Sequence, residues 1–359
     1  MKHAKRRYQC PYCNSFDTKR HGTTGKGFIR WYCKSCQRTF CPIVQQTTEQ
    51  GAQLYFDSEA SYRSVGRELD MMPKTAYRRI IALGFNSKSP MEVSLELKPQ
   101  WSGYLIIDGD SIRIGSHRES LLISADAYSQ DIPHAILAEN EDGLNWTHFL
   151  LVLKSPIGYP FKGVISDGDP GVQGAIKLVL PGLPYQYCVR HFEKELWRYL
   201  RYQFVQKRGY YRESDRFLNA SKKMLYAKDI DIAKKYLSAI SLDPGFKQAG
   251  FDELIKKINF NFDDLTRHHS CPGMPRTSNI GEGLISRLDS KINQADGYKC
   301  HDTAWATLKM LIMRYRFKTF TDCRKKNKHK NGKSPLELAG INVSKINWVK
   351  FSQKPKLKL

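Results

Sequence analysis

No stretch of this 359-residue chain approaches the roughly 18 consecutive apolar residues that a membrane-spanning helix requires. The N-terminal MKHAKRRYQC also lacks the apolar segment that opens a secretory signal. Together these absences set the expectation of a soluble, cytoplasmic protein. Acidic residues are scarce at both ends: residues 1–40 hold one against ten Lys or Arg, and residues 324–359 hold one against eleven. The formal net charge is +23, which favours a polyanionic partner over a neutral metabolite, and double-stranded DNA is the expected one. A hydrophobic content of 41% is enough for at least one substantial core, so disorder throughout is excluded. Nine cysteines in a long chain without an export signal are expected to stay reduced.

Four of those cysteines have a specific pattern. Cys10 and Cys13 form one C-x2-C pair and Cys33 and Cys36 form another, with 19 residues between the pairs. That is the spacing of a zinc ribbon, in which two short turns bring four thiolates to one tetrahedral ion and close its shell against water. The zinc is therefore expected to be structural. The residues between the pairs are too few to bury a core, so the ion would hold the unit folded with an apparent binding energy of roughly 10 to 16 kcal/mol.

Residues 58–84 carry two helical stripes, Tyr62, Val65 and Leu69 in the first and Ala76, Ile80 and Leu83 in the second. Asp70 to Pro73 separates them, and Pro73 suits the first turn of the second helix. This is a helix-turn-helix pattern in which Lys74, Thr75, Arg78 and Arg79 are the candidates to face DNA, with Lys74, Arg78 and Arg79 expected to point outward. A polar span with two prolines follows and reads as a linker.

From Tyr104 the pattern changes. Three β-rich runs, a helical run, a strand ending at Asp167, a second helix and a further strand give the order βββ-α-β-α-β. In a ribonuclease H-like sheet the first and fourth of these strands are neighbours, so Asp108 and Asp167 can meet although 59 positions apart. Both lie in D-G-D triplets. Strand alternation puts Asp108 and Asp110 on one face, so Asp110 stays open as the first acid. Asp169, before Pro170, reads as a helix N-cap. A third acid, Glu282, sits in the first turns of the helix TSNIGEGLISRLDSKI, after a polar, Lys-rich, helix-favouring stretch whose apolar positions are thinly spread. Three carboxylates from separate elements suit two Mg²⁺ or Mn²⁺ ions roughly 3.5 to 4 Å apart. Farther on, Arg314, Arg316 and Lys318 are expected along a DNA backbone, and the residues from Arg324 as a basic arm.

The segments LIIDGD, VISDGDPGVQGAI with YQYCVRHF, and TSNIGEGLISRL resemble the Mutator-like DDE transposases and related bacterial insertion-sequence transposases, over roughly residues 104–318. The resemblance implies a ribonuclease H-like fold with a helical insertion, a catalytic triad of Asp108, Asp167 and Glu282, and a C-x2-H pair, here Cys188 and His191, that supports the active site or contacts DNA. It also implies metal-dependent cleavage and strand transfer at element ends, by a homo-oligomer on DNA in a compact bacterial or archaeal element. A zinc-ribbon DNA-binding regulator and a hydrolytic nuclease of the same fold are the alternatives. The expected organisation is a zinc ribbon at 1–45, helix-turn-helix at 46–86, linker at 87–103, α/β catalytic core at 104–206 and 270–320, helical insertion at 207–269 and basic tail at 321–359.

Overall fold

The computed structural model describes residues 8–13, 15–25, 27–58, 60–294 and 297–355. The chain divides into two compact units: residues 1–89, 291–318 and 343–359 form one, and residues 90–290 and 319–342 the other. No helix among the described residues is long and apolar enough to cross a membrane.

The first unit opens with a three-stranded antiparallel sheet, β1 Thr18–Thr23, β2 Ile29–Cys33 and β3 Thr39–Phe40, in that order. Its buried cluster is small: Cys10, Trp31, Cys33 and Phe40, with Tyr12, Cys13 and Cys36 against it. Helices α1 Pro42–Asp57, α2 Tyr62–Glu68 and α3 Pro73–Phe85 follow. The entry of α2 is capped by Ser61, whose side chain accepts from the Ser64 amide, and α1 and α3 both start on proline, whose missing N–H costs nothing at that position. The turn between α2 and α3 passes over Gly66, where a Cβ would stand 2.6 Å from the Met71 carbonyl, so only glycine lets the chain close there. Tyr55, Phe56, Val65, Ala76 and Ile80 fill the space among the three helices.

The helix His301–Phe317 belongs to the same unit and crosses α3 at Gly84, where a Cβ would meet the Ala306 carbonyl oxygen at 2.5 Å. It departs from expectation at Arg314 and Arg316, while Lys318, just past its end, is exposed. Arg316 is fully buried, and the Arg314 Nε donates to Asp57 at 2.8 Å, because this helix is packed along nearly its whole length and its cations are spent inside the unit.

The second unit begins with α4 Pro90–Leu97, a helix within the span read from composition as a linker; its Val93 and Ser94 are buried, and Ser94 Oγ donates to the Pro133 carbonyl. Strands β4 Tyr104–Ile114, β5 His117–Asp126 and β6 Ala135–Ala138 form an antiparallel meander. After α5 Gly143–Lys154, β7 Gly163–Ser166 pairs parallel to β4; after α6 Pro170–Val179, β8 Tyr185–Tyr187 pairs parallel to β7. The sheet is thus a mixed, five-stranded one of order β6-β5-β4-β7-β8. Parallel neighbours need a crossover, and α5 and α6 provide it. Leu105, Ile107, Leu122 and Val164 pack against Trp146, Phe149, Leu150, Val172 and Ile176 of these two helices. Alternation along β4 then turns Ile106 and Asp108 to the opposite face.

Helix α7 Val189–Tyr199 runs into a π-helical turn, Leu200–Gln206, and four further helices follow: α8 Tyr211–Leu225, α9 Ile230–Leu242, α10 Pro244–Gln248 and α11 Asp252–Thr266. Apolar positions that look sparse along the sequence converge here on one core, with Phe204, Phe217, Phe246 and Phe251 in edge-to-face contact. The next helix is α12 Asn279–Gln294. The span read as a basic arm is partly folded: Pro335–Leu338 is a helical turn with a Ser334/Glu337 capping box, and Lys330 is buried and donates to the Tyr128 carbonyl.

Candidate functional site

The β4–β7 register sets Leu105 beside Val164 and Ile106 beside Ile165. Two residues on, Asp108 and Asp167 reach the same level, just beyond the last parallel pair: there β7 ends, while β4 runs on to Ile114 paired with β5. Burial and the neighbouring Asp167 charge push the Asp108 carboxyl up to about 7, partly opposed by His191. Asp169 is the N-cap of α6, its carboxylate accepting from the Gly171 and Val172 amides, as its place before Pro170 suggested.

The face bearing Asp108 is met by the start of α12. A Cβ on Gly281 would lie 3.1 Å from Ile106 Cγ2 and 3.4 Å from Asp108 Oδ2, so the absence of a side chain at 281 lets the helix come down onto β4. Glu282 is the next residue. Its Oε1 is 2.7 Å from Lys194 Nζ and 3.2 Å from His191 Nε2. Burial alone would raise this carboxyl; Lys194, then His191, outweigh it and hold it below the ordinary carboxylate range.

Cys188 and His191 support this corner. The buried Ser278 amide donates to Cys188 Sγ at 3.2 Å, and Ser278 Oγ lies 3.2 Å from His191 Nδ1. Contact between the two raises the imidazole, while the Cys188 thiol, which burial alone would push up, is brought down by His191 and Ser278.

Asp110 separates from Asp108 by its neighbours. It is hydrogen-bonded to Asp289 on α12, and burial together with the Asp110 charge lifts Asp289 to about 6. Among the described residues, no third His, Cys, Asp or Glu joins Asp108 and Asp167 in a group whose ligand atoms all lie within 4.8 Å. Asp108 and Asp167 are adjacent, and Glu282 is turned to Lys194 and His191.

Glu141 also belongs to this corner and has no signal in residue spacing. Its carboxylate lies over Gly109, where a Cβ would fall 2.2 Å from Oε1, and burial with the charges of Asp167 and Asp169 raises it to about 6. Lys194 did have a signal: it stands three residues after His191 on α7, one turn along the same face.

The sequence matches no family model and no curated protein. Among solved structures, a chain of the simian T-cell lymphotropic virus intasome in complex with the PP2A regulatory subunit B56 gamma matches over 50% of this chain and 70% of that one, at 13% identity and a TM-score of 0.20. A likeness of that size carries no argument about activity.

In the other unit, the Sγ atoms of Cys10, Cys13, Cys33 and Cys36 all lie within 4.8 Å of one another, with Cys10–Cys36 at 3.6 Å and Cys13–Cys33 at 3.5 Å. Four thiolates at about 2.3 Å from a tetrahedral zinc would be about 3.8 Å apart, so this donor set fits the ion. Burial pushes Cys10 up to about 12; for Cys33 burial is outweighed by the Cys36 amide and the Cys13 thiol, which bring it down to about 6.

On α3, Lys74 and Arg78 are exposed and Thr75 is half-buried. Arg79 differs from expectation: it is half-buried, and its Nη1 lies 3.4 Å from Thr47 Oγ1 of α1. One residue along a helix is a rotation of about 100°, which carries position 79 from the solvent face to the α1 side.

Proposed function

We propose that this chain is a DNA transposase of the ribonuclease H-like DDE type, in which Asp108, Asp167 and Glu282 hold Mg²⁺ or Mn²⁺ and the four ribbon cysteines hold a structural zinc. The observation that carries the reading is the pairing of Asp108, within β4, with Asp167, just past the end of the neighbouring parallel strand β7, with Asp108 lifted to about 7 beside the second carboxylate. Two partly desolvated acids side by side repel, and a hard divalent cation with oxygen ligands relieves that repulsion. When bound, the ions supply activation of a water or 3′-hydroxyl and stabilisation of the leaving oxygen.

The remaining work falls to the chain itself. Asp108, with Asp167 opposite, presents the metal-binding oxygens; Lys194 and His191 compensate Glu282 before the ions enter; Ser278 and Cys188 orient the imidazole. On this reading residues 104–206 and 270–290 are the catalytic core, 207–269 its insertion, and the ribbon at 1–45 with the helices at 46–86 the part that recognises duplex ends, through Lys74 and Arg78; residues 291–318, expected in the core, belong to the same unit as those helices. Two ends must be joined in one event, so the active species is a homo-oligomer on DNA.

The test is strand transfer with a duplex carrying the element's own ends and Mg²⁺ or Mn²⁺. Joined product is expected from the wild-type chain and not from Asp167→Ala or Glu282→Ala. Joining that persists in either variant would remove the triad, and cleavage without joining would make the protein a nuclease.

A further inference from the structure

Residues 197–212 read WRYLRYQFVQKRGYYR, with five Lys or Arg, six aromatic residues and no acid. The segment covers the end of α7, the π-helical turn and the start of α8. Its inward side is ordinary: Leu200 and Phe204 are buried in the core of the helical insertion. Its outward side is not. Trp197 is 46%, Tyr202 56% and Tyr211 64% exposed, so large rings stand in water on a segment that already has apolar residues enough for its core.

Cations sit against these rings. The Arg201 guanidinium carbon is 5.3 Å from the centre of the Trp197 ring, and Lys207 Nζ is 4.6 Å from that of Tyr202. Alternating rings and cations suit a ligand that is itself an alternation of flat bases and phosphates. Duplex DNA hides its base faces in the stack and offers a ring nothing to lie on; an unpaired strand offers both parts. The π-helical turn adds one residue per turn, and such turns recur at functional sites; here it lies between Trp197 and Tyr211.

We propose that the exposed face of residues 197–212 is a stacking platform for single-stranded DNA. The proposal rests on the reading of this chain as one that handles DNA, but it needs no strand chemistry and no divalent ion, so the two can fail separately. It predicts that the full-length protein binds a labelled oligo-dT of roughly 12 nucleotides, within the span that one such surface holds, more tightly than an abasic oligonucleotide of equal length and charge. In Trp197→Ala/Tyr202→Ala the oligo-dT affinity is expected to fall about tenfold or more, since each stacked base contributes on the order of 1 to 3 kcal/mol, while affinity for a blunt duplex is unchanged.

A second measurement leaves the fold undisturbed. Of the six tryptophans, Trp197 is the one on this face, so oligo-dT should quench fluorescence in the wild-type chain and do so distinctly less in Trp197→Phe. Equal affinity for abasic and base-bearing strands, or equal quenching in the two proteins, would overturn the proposal. A preference for oligo-U over oligo-dT would overturn the choice of DNA. Loss of self-association in the alanine variant with strand binding intact would make the face a contact between copies of this chain.

Discussion

Lys194 Nζ lies 2.7 Å from Glu282 Oε1, and His191 Nε2 lies 3.2 Å from the same oxygen. A carboxylate held by a lysine ammonium and an imidazole is a poor metal ligand while the lysine stays bound to it. Lys194→Met should therefore tighten Mn²⁺ binding, by up to about fivefold, because a partly exposed ion pair contributes no more than about 1 kcal/mol. Calorimetric titration with Mn²⁺ measures this. Weaker binding would mean that the lysine aims the carboxylate at the ion and does not compete with it.

Asp108 gives a pH dependence with a definite sign. Its carboxyl rises from 3.8 to about 7 on folding, so the folded chain binds a proton that the unfolded chain has released across that interval. Stability from this group is therefore present at the acid side of the interval, falls as pH rises through it, and is lost once pH exceeds the folded value. In metal-free protein, Asp108→Asn should raise the melting temperature at pH 8 and leave it nearly unchanged at pH 4. A melting profile for the variant that runs parallel to wild type from pH 4 to 8 would contradict the assignment.

For the ribbon, Cys33→Ser should lose bound zinc and the sheet β1–β3, since the buried cluster around Trp31 is too small to fold without the roughly 10 kcal/mol or more that a structural ion supplies. Zinc content and Trp31 fluorescence read the two consequences. Retained sheet structure in the zinc-free variant would show that the apolar cluster suffices.

Arg78 and Arg79 should part company. Arg78→Ala is expected to weaken duplex binding and to flatten the slope of log affinity against log salt by about one unit, as loss of one phosphate contact does. Arg79→Ala should instead lower thermal stability slightly, through the lost bond to Thr47, and leave the salt slope unchanged. Binding isotherms across a salt series separate the two.

Much of the second unit is legible in sequence for a physical reason: three apolar runs of strand length, then a helix, a strand, a helix and a strand, follow one another from Tyr104 to Tyr187, whereas the parallel pairing of β4 with β7 was expected only from the ribonuclease H-like sheet that this order resembles. Asp169 as a cap was readable from Pro170, and the cysteine cluster from its spacing. Glu141 was not, because its place depends on the turn after β6 folding back over Gly109, which no periodicity records. The core of the helical insertion was invisible for a related reason: its phenylalanines come from different elements and meet only in three dimensions. The choice between Asp108 and Asp110, equal by alternation, turns on neighbours supplied by β7, α7 and α12.

The parallel register of β4 with β7 also bears on which changes in length the gene can tolerate. Removing a single codon between Leu105 and Ile107 would shift every later residue of β4 by one place, carrying Asp108 to the α5–α6 face and Gly109 into its position opposite Asp167. Removing one codon at the β4–β5 hairpin, around Gly115 and Ser116, would leave the Asp108–Asp167 level where it is. A one-codon deletion inside β4 would thus part Asp108 from Asp167, while one in the β4–β5 turn would spare that pairing and disturb only the hairpin register, by geometry alone.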